Sequence, residues 1–585
     1  CFFGILLAGG IPVPIYPPAR LAQIEDHLKR HARILDNAQA VFIITVAQAK
    51  TVAALLSARV PSLAGIVTPE ELAAAPVALH YRAFPDDIAF LQYTSGSTGD
   101  PKGVVLTHAN LLANLRAMGP AFRVTSEDVF ISWLPLYHDM GLIGAWFGSL
   151  YFAMPLVLMS PLAFLARPSR WLQAISRHRG TLTAAPNFAY ELCARKLDGA
   201  DLAGLDLSSL RLALNGAEPV SPATLEAFIE RFVPYGLQPE AITPVYGLAE
   251  CSVGLAFPPL ERGPRIDAIR RDVFMREAHA VPADEGGPDV MRVPACGRAL
   301  PGHEIRIVDE AGDELPDRHV GRLQFRGPSA TRGYFRNPEA TQRLFRDGWL
   351  DSGDYAYMVE GETYLTGRVK DLIIRGGRNL YPYELEEAVG AIPGIRKGCV
   401  AVFASTDPAN ANERLVVVAE TREQDAAARE ALRQKINEAA IDAVGMPADE
   451  IVLAPPHSVL KTSSGKIRRA ASREAFERGE VGRRQAPAWM QQAKLWLAAA
   501  TVSLQGTAKQ AGRKLYGAYA WLVLIAFAVP VWLAVAIPQR PSLGRIISRH
   551  ATRLAFRVAG IGLDPLPNSR LPDSPHLLAV NHASY

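Results

Sequence analysis

One loop carries most of the residues whose chemistry suits a phosphate. Residues 93–103 read Tyr-Thr-Ser-Gly-Ser-Thr-Gly-Asp-Pro-Lys-Gly, which combines hydroxyls, glycines and one cation. The members that could contact a ligand are Thr94, Ser95, Gly96, Ser97, Thr98, Gly99 and Lys102. Glycine lets backbone amides approach a polyanion because no Cβ intervenes. The composition therefore indicates a phosphate-binding loop.

Two short apolar stretches must position this loop. Ile88–Tyr93 before it and Val104–Leu106 after it predict buried strands, and a helix is expected to follow from Asn110. A flexible Gly/Ser linker has a similar composition, but it does not explain the flanking strands. Two residues separate the second loop glycine from the lysine, whereas the ordinary P-loop has Lys directly after its second Gly. The loop is therefore of a different type.

Two further segments combine a strand with polar residues at its end. Leu210–Leu214 predicts a strand, and ligands of open α/β sheets bind outside the carboxyl ends of strands. The residues delivered there include Gly216, Ala217 and Glu218. Residues 243–250 repeat this design with Tyr246, Gly247 and Glu250. The tyrosine could cover a base, and the glutamate offers the hard oxygen that Mg²⁺ prefers.

Charged residues further along could complete a nucleotide site. Asp354 is predicted to lie on a tight turn, where its carboxylate could hold two ribose hydroxyls. Arg368 can donate to ribose or phosphate. Taken singly, Arg368 and Lys370 are equally compatible with solvated surface charges. Lys466 stands on a loop rich in hydroxyls and glycine, so its ammonium could be brought to a reacting phosphate.

His138 and Asp139 allow two interpretations. They lie where an apolar strand meets a glycine-rich, aromatic segment that begins with Gly141, so they could line an acyl pocket. Alternatively, Asp139 caps a helix and His138 packs beside it.

Composition limits the class of protein. The chain has 585 residues, is 49% hydrophobic and 21% charged, and is long enough for several globular domains. A formal net charge of +4 predicts no attraction of the whole protein to nucleic acid. Five scattered cysteines without a C-x-x-C pair argue against disulfides and zinc, and favour a reducing cytoplasm. The chain begins at Cys1; we expect it to be truncated at its start, with Phe2–Leu7 as core rather than a signal peptide.

Taken in order, these motifs resemble those of the acyl-adenylate-forming superfamily, which includes acyl-CoA synthetases, luciferases and peptide-synthetase adenylation domains. The Leu-Pro-Leu-Tyr-His-Asp-Met-Gly-Leu-Ile-Gly stretch at residues 134–144 and the insertion at residues 258–294 are most similar to fatty acyl-AMP ligases. The resemblance implies an α/β fold, with a large layered adenylating domain at residues 1–368 and a small mobile α+β subdomain at residues 369–478. We expect the long insertion to lie on the surface.

The resemblance also implies a role for each motif, with ATP and Mg²⁺ as cofactors. The implied roles are phosphate binding for residues 94–102, nucleotide binding for Gly216, Ala217, Glu218, Tyr246 and Gly247, metal coordination for Glu250, ribose binding for Asp354 and Arg368, acyl-pocket lining for His138, Asp139 and Gly141, the hinge for Lys370, and transition-state stabilisation for Lys466. No protein nucleophile is needed, so catalysis would rest on positioning and charge.

The implied reaction activates a long-chain fatty acid to acyl-AMP and transfers it to the phosphopantetheine thiol of an acyl carrier protein. Coenzyme A as the acceptor, in a long-chain acyl-CoA synthetase, is one alternative. A catalytically degenerate membrane scaffold is another. The scaffold rests on Ala249, because many relatives have there a Thr that touches the α-phosphate.

The C-terminal part differs in composition. A basic linker at residues 479–514 precedes Leu515–Ile537, which has no charged residue and as a helix, at ~1.5 Å per residue, extends about 35 Å. Four arginines, Arg545, Arg549, Arg553 and Arg557, then interleave with apolar residues, as in helices that bind anionic lipid. A buried core helix is the alternative for the apolar stretch. We expect residues 515–563 to be membrane-associated, at the cytoplasmic face of a membrane such as the bacterial inner membrane.

The final segment, residues 564–585, ends in an apolar strand followed by Asn581-His582-Ala583-Ser584. This resembles the start of glycerolipid acyltransferases of the 1-acylglycerol-phosphate type, in which the His deprotonates a lipid hydroxyl. The resemblance implies a truncated acyltransferase start, with His582 as its general base and acyl transfer onto a membrane glycerolipid in the intact protein. The Asp expected two positions beyond Tyr585 would orient that histidine.

Overall fold

A computed structural model describes most of the chain. The described residues are 1–16, 24–57, 59–73, 81–94, 101–287, 289–375, 378–406, 413–461, 465–482, 512, 515–537 and 541–561. The chain divides into two compact units, Cys1–Ala488 and Trp489–Tyr585. Both predicted adenylating parts, residues 1–368 and 369–478, therefore lie in the first unit.

A five-stranded parallel sheet forms the centre of the first unit. Its strands, in spatial order, are Leu156–Leu158, Phe130–Ser132, Leu182–Ala185, Leu212–Asn215 and Ile242–Pro244. The runs are short and apolar because a parallel sheet is covered on both faces. Helices of this region are His108–Phe122, Met140–Phe147 (a π-helix), Gly148–Tyr151, Pro161–Ala166, Ser169–His178, Asn187–Lys196 and Pro222–Phe232. Asn215 pairs with Pro244, so the residues that follow these two strands emerge side by side.

The predicted phosphate loop joins two antiparallel strands, Ile88–Thr94 and Lys102–Thr107. Thr94 lies opposite Lys102 in the register, so the pair closes the base of the loop. The helix His108–Phe122 follows at once, because Thr107 and Asn110 form a reciprocal capping box at its start. The strands and the helix predicted around the loop are thus confirmed.

Smaller elements precede the loop. They are the helices Phe2–Leu7, Ile24–Ala38, Lys50–Ser57 and Pro69–Ala73, the 3-10 turn Ala47–Ala49, and the parallel strands Phe42–Ile44 and Gly65–Val67. All of the first helix was expected to belong to the core, but only part of it does. Phe2 packs against the buried cluster, whereas Phe3 and Leu7 are exposed.

A second, antiparallel sheet carries the predicted ribose residues. Its strands are Glu304–Val308, Gly321–Arg326, Trp349–Val359, Phe345–Arg346 and Glu362–Arg368. Asp354 pairs with Arg368 across the last two long strands. The tight turn predicted at Asp354 is instead a bulge within one strand, where the register shifts and Gly353 has a φ of +74°. The smaller elements of this region are the strands Ala256–Phe257 and Arg298–Ala299, the 3-10 turns Val233–Tyr235, Pro239–Ala241 and Ala249–Cys251, and the helix Pro338–Leu344.

The insertion at residues 258–294 is folded rather than a surface loop. The strands Ile266–Arg270 and Val290–Pro294 pair in antiparallel fashion, and the helix Arg271–Glu277 lies between them. Phe274 and Met275 on this helix are buried. The insertion is thus a folded element rather than a loop, and it still presents exposed residues such as Arg276, Glu277 and those at 284–287 at the surface, as expected.

The small subdomain is α+β, as predicted. Its strands are Ile373–Arg375, Arg378–Leu380, Ile395–Thr406, Glu413–Thr421 and Glu450–Ala454, and its helices are Pro382–Gly390, Ala426–Val444 and Arg469–Glu477. Apolar side chains such as Val400, Val417 and Ile436 form its own buried core. A 3-10 turn, Val369–Asp371, connects it to the antiparallel sheet.

The second unit contains two described helices, Leu515–Ala536 and Pro541–Val558. The first is long and apolar enough to cross a membrane, by length and composition. The hydroxyls of Tyr516 and Tyr519 donate to the carbonyls of Ala559 and Val558 at 2.9 and 2.7 Å. Since these residues begin one helix and end the other, the two helices are antiparallel.

Candidate active site

Lys102 and Glu250 both contact Tyr334. The Lys102 ammonium lies 4.9 Å from the centroid of the Tyr334 ring. The Tyr334 hydroxyl donates to Glu250 Oε1 at 2.8 Å. Burial raises the pKa of Glu250, while this hydrogen bond opposes the rise. Sequence reasoning missed Tyr334, because its contact with Glu250 spans 84 positions of sequence. Ser95, Gly96, Ser97, Thr98 and Gly99 lie outside the described residues.

The predicted ribose carboxylate is held from two sides. Tyr246 is buried, and its hydroxyl donates to Asp354 Oδ2 at 2.6 Å. Arg368 Nε lies 3.6 Å from Asp354 Oδ1. Tyr246 therefore orients the carboxylate, and its covering of a base stays a prediction. Gly247 must be glycine, because a Cβ there would lie 1.8 Å from a backbone oxygen.

The segment after the neighbouring strand carries Glu218. Its Oε1 accepts a hydrogen bond from the Phe188 backbone N–H at 2.7 Å, and burial raises its pKa. Ala217 has a φ of +68°, a conformation that costs a residue with a Cβ some energy and clusters at ligand sites. At Gly216 a Cβ would lie 2.9 Å from the backbone oxygen of Val245. The two strand ends are thus close-packed behind the site.

At His138 and Asp139 the structure confirms the helix-cap interpretation, and the acyl pocket stays a prediction. Asp139 Oδ1 accepts from the backbone N–H of Met140 at 2.7 Å and so caps the π-helix. His138 Nδ1 lies 2.7 Å from the same carboxylate oxygen. Gly141 packs against backbone, since a Cβ there would lie 2.4 Å from the carbonyl oxygen of Pro135. π-helices of this kind occur often at functional sites.

Lys466 belongs to a loop of the small subdomain that approaches the large domain: a Cβ at its neighbour Gly465 would lie 3.8 Å from the Phe188 ring. Burial, together with the charge of Arg368, lowers the pKa of its ammonium. The carboxylates of Asp139, Glu218 and Asp354 act in the opposite direction. The pKa of Lys466 is thus affected by charged residues from four separate sequence motifs. The loop that carries Lys466 therefore approaches the segment with Glu218, since the Phe188 backbone N–H donates to that carboxylate; the role of Lys466 stays a prediction.

Direct contacts dock the small subdomain on the large domain in this arrangement. Ser221 Oγ donates to Glu387 Oε1 at 2.5 Å, and Lys397 Nζ lies 3.1 Å from Glu191 Oε1. Lys370 lies in the connecting turn Val369–Asp371, where the hinge was predicted. Its role as the hinge stays a prediction.

The insertion also contacts the small subdomain. Arg271 Nη1 donates to Glu384 Oε2 at 3.2 Å and to the carbonyl of Ala443 at 3.1 Å. Met275 packs in the same buried cluster as Leu380 and Leu385 of the subdomain. The insertion is therefore joined to the subdomain by both charge and apolar packing.

Replacing Glu384 with glutamine is expected to alter the pH dependence of stability. Burial raises the pKa of Glu384 from 4.5 to about 7, so the folded state keeps a proton that the unfolded state releases. Wild-type stability should therefore fall as the pH rises from about 4.5 to about 7 and then level off. Glutamine does not titrate. The free energy of unfolding of the variant relative to wild type should therefore rise by roughly 3 kcal/mol over that interval.

Thermal unfolding of Glu384→Gln and wild type at pH 5 and pH 7.5 checks this expectation. The exposed Glu430→Gln on the helix Ala426–Val444 is the matched control and should follow the wild type. Equal shifts for Glu384→Gln at both pH values would contradict the assignment.

Comparison with known proteins places the chain in a class. The sequence profile described as AMP-binding enzyme matches residues 1–335. The chain belongs to this family.

Its relatives include fatty acyl-AMP ligases. The long-chain-fatty-acid–AMP ligase FadD26 of Mycobacterium marinum is 36% identical over 504 residues, which cover 81% of this chain and 84% of that protein. A putative acyl-CoA synthetase of Caulobacter vibrioides is 38% identical over 487 residues, covering 82% and 84%. The medium-chain-fatty-acid–[acyl-carrier-protein] ligase JamA of Moorena producens is 36% identical over 502 residues, covering 82% and 83%.

Solved structures agree with the fold. One from a study of fatty acyl-adenylate ligases from E. coli and L. pneumophila has a TM-score of 0.78 at 35% identity, and the match covers 82% of this chain and 85% of that one. The α/β adenylating fold implied by the sequence motifs is confirmed.

Proposed function

We propose that this chain activates a long-chain fatty acid to acyl-AMP and passes the acyl group to the phosphopantetheine thiol of a carrier protein. The approach of the Lys466 loop to the large domain carries the proposal: Gly465 lies beside Phe188, and the carboxylates of Asp139, Glu218 and Asp354 raise the pKa of the Lys466 ammonium against the effect of its burial. The relatives that are named as fatty-acid ligases support a fatty acid as the substrate, and JamA supports a carrier protein as the acceptor.

The residues present can carry out both half-reactions. The fatty-acid carboxylate attacks the α-phosphorus of ATP, a P–O bond forms, and the bond to pyrophosphate breaks. Lys466 and Arg368 offset the negative charge that develops there. The carrier thiol then attacks the acyl carbon while its proton passes to water; the bond between that carbon and the phosphate oxygen breaks, and AMP leaves with the bonding electrons. Asp354 holds the ribose through both steps.

The site suits Mg²⁺ bound together with ATP. Glu250 is a half-buried carboxylate whose pKa is raised by desolvation, so a cation beside it would stabilise the charged form. Among the described residues no cluster of three or more His, Cys, Asp or Glu side chains could hold a metal. Mg²⁺ is commonly held by one or two carboxylates with phosphate oxygens and water. When bound, the ion would neutralise charge on the phosphates.

Exchange of labelled pyrophosphate into ATP tests the first half-reaction. The exchange should require a long-chain acid and Mg²⁺, and acyl-AMP should be recoverable from the enzyme. No exchange by the folded protein with any long-chain acid would favour the degenerate scaffold instead.

An acyl-CoA synthetase is the second candidate function. The Caulobacter relative carries that name and is 38% identical to this chain. The packing of the insertion on the small subdomain favours the carrier protein, and the choice of acceptor is tested below.

We also propose that the second unit binds a membrane surface. Large apolar side chains of the helix Leu515–Ala536 are exposed, with Trp521 at 65% and Trp532 at 68%. If this helix crossed the bilayer, its antiparallel neighbour would draw Arg549 and Arg553 into the hydrocarbon, at about 3 kcal/mol each. An orientation in the plane of the interface leaves both arginines among anionic headgroups.

The full chain is therefore expected to bind vesicles that contain anionic lipid. High salt should fail to release it, because burial of apolar side chains dominates the attraction. Deleting residues 515–537 should leave only salt-sensitive binding through the basic helix. Cosedimentation with phosphatidylglycerol vesicles measures both. Residues 1–485 alone should stay in the supernatant, and full-length protein that also stays there would refute membrane binding.

Handing the acyl group to a glycerolipid is a further part of this proposal. Its support is the resemblance of residues 581–584 to the start of glycerolipid acyltransferases. His582 lies outside the described residues.

A further inference from the structure

Arg469 joins two carboxylates of the small subdomain. Its Nη1 donates to Asp371 Oδ2 at 2.6 Å. Its Nε and Nη2 donate to Glu386 Oε1 and Oε2 at 2.8 and 2.6 Å. The Glu386 side chain is only 7% exposed and that of Asp371 16%. Removal of one partner would leave a buried charge uncompensated, so the three side chains hold one another in a fixed geometry.

The two carboxylates belong to parts that control docking of the subdomain. Asp371 directly follows Lys370 in the connecting turn. Glu386 lies on the helix Pro382–Gly390, and its neighbour Glu387 accepts the hydrogen bond from Ser221 of the large domain. Arg469 therefore ties the connecting turn to the docking helix.

Arg469 also limits the position of Lys466, three residues earlier. The backbone N–H of Arg468 donates to the carbonyl of Leu460 at 2.8 Å. Lys461 and Ile467 form an isolated antiparallel β-bridge. These contacts close the base of the loop that carries Lys466. The Arg469 guanidinium fixes this base to the turn and to the docking helix. A tilt of the subdomain must then move the lysine by the same rotation.

We infer that Arg469 is a positioning residue that links the connecting turn and the docking helix to the Lys466 loop, so that the three move as one body. The inference rests on the proposed adenylation activity. The side chain touches no reacting atom, and it acts by holding the ammonium of Lys466 in one orientation. Preorganised charge acts without reorganisation at the moment of reaction, so a loosened lysine would lose most of its effect.

Asp371→Asn and Arg469→Gln test the link. Asp371→Asn keeps the pair between Arg469 and Glu386, so the subdomain should stay folded. We expect it to lower kcat for acyl-adenylate formation by about 10-fold with less than about a 2-fold change in KM for ATP. Arg469→Gln should lower kcat further. The control Arg414→Gln removes a single, more exposed ion pair with Glu450 in the same subdomain and should leave kcat unchanged.

A Lys466→Ala background separates positioning from a general loss of structure. If Arg469 acts through Lys466, Asp371→Asn should change the residual rate in that background by less than about 2-fold. If Asp371→Asn lowers kcat in the Lys466→Ala background by as large a factor as in the wild-type background, the inference is wrong.

Amide hydrogen exchange tests the link without relying on activity. In Asp371→Asn the backbone of residues 465–468 should exchange faster than in wild type, and in Arg414→Gln it should not. Unchanged exchange in Asp371→Asn would refute the link. Wild-type protein without pyrophosphate exchange would contradict the proposed function, and hydrogen exchange would then decide the link alone.

Discussion

Replacing Lys466 with alanine should slow acyl-adenylate formation by about 10²- to 10³-fold, the effect of removing one preorganised donor to a developing charge. The Lys466 loop approaches the large domain at Phe188, and the carboxylates of Asp139, Glu218 and Asp354 raise the pKa of its ammonium against the effect of burial. The affinity for ATP should change little, because the phosphate loop and the ribose residues belong to the large domain. Pyrophosphate exchange at saturating ATP measures the rate, and ATP titration measures the affinity.

Lys435→Ala is the matched control for this substitution. Lys435 is an exposed lysine on the helix Ala426–Val444 of the same subdomain, so its loss changes the net charge equally without touching the site. The control should exchange pyrophosphate at the wild-type rate. If Lys466→Ala keeps its rate within about threefold of wild type, the role assigned to Lys466 is wrong.

Local patterns predicted the elements around the phosphate loop. The apolar runs before and after the loop became the paired strands Ile88–Thr94 and Lys102–Thr107, because alternation and turn residues act over a few positions. The helix expected from Asn110 is found at His108–Phe122 for the same reason. The parallel strand expected at Leu210–Leu214 is found at Leu212–Asn215.

Contacts between distant parts of the chain could not be predicted. Tyr334 reaches Glu250, and Arg469 reaches Asp371 across 98 positions, yet neither pair has a local signature. The predicted turn at Asp354 became a bulge because the pairing of its strand with Gly321–Arg326 sets the register there. Such features depend on which strands and helices meet, and a single sequence does not specify that directly.

The packing of the insertion leads to the second large effect, the choice of thiol acceptor. In the proposed reaction, transfer of the acyl group would require the small subdomain to move away from the arrangement that admits Lys466. The contacts of Arg271 and Met275 with the subdomain oppose this motion. A carrier protein can offset their loss with its own binding surface, whereas free coenzyme A offers far less. We therefore expect coenzyme A to be acylated at least about 10-fold more slowly than the carrier.

Removing the contacts between the insertion and the small subdomain should reduce the preference for a carrier protein over coenzyme A. Excising residues 266–285 would remove the buried Ile269 and Phe274, so point substitutions are the better test. Arg271→Ala combined with Met275→Ala should raise the rate of coenzyme A acylation by about 10-fold while pyrophosphate exchange stays at the wild-type rate. Arg265→Ala is the control, because Arg265 lies in the same insertion and pairs with Glu360 outside the subdomain. Wild-type protein that acylates coenzyme A as fast as a carrier protein would establish the acyl-CoA synthetase instead.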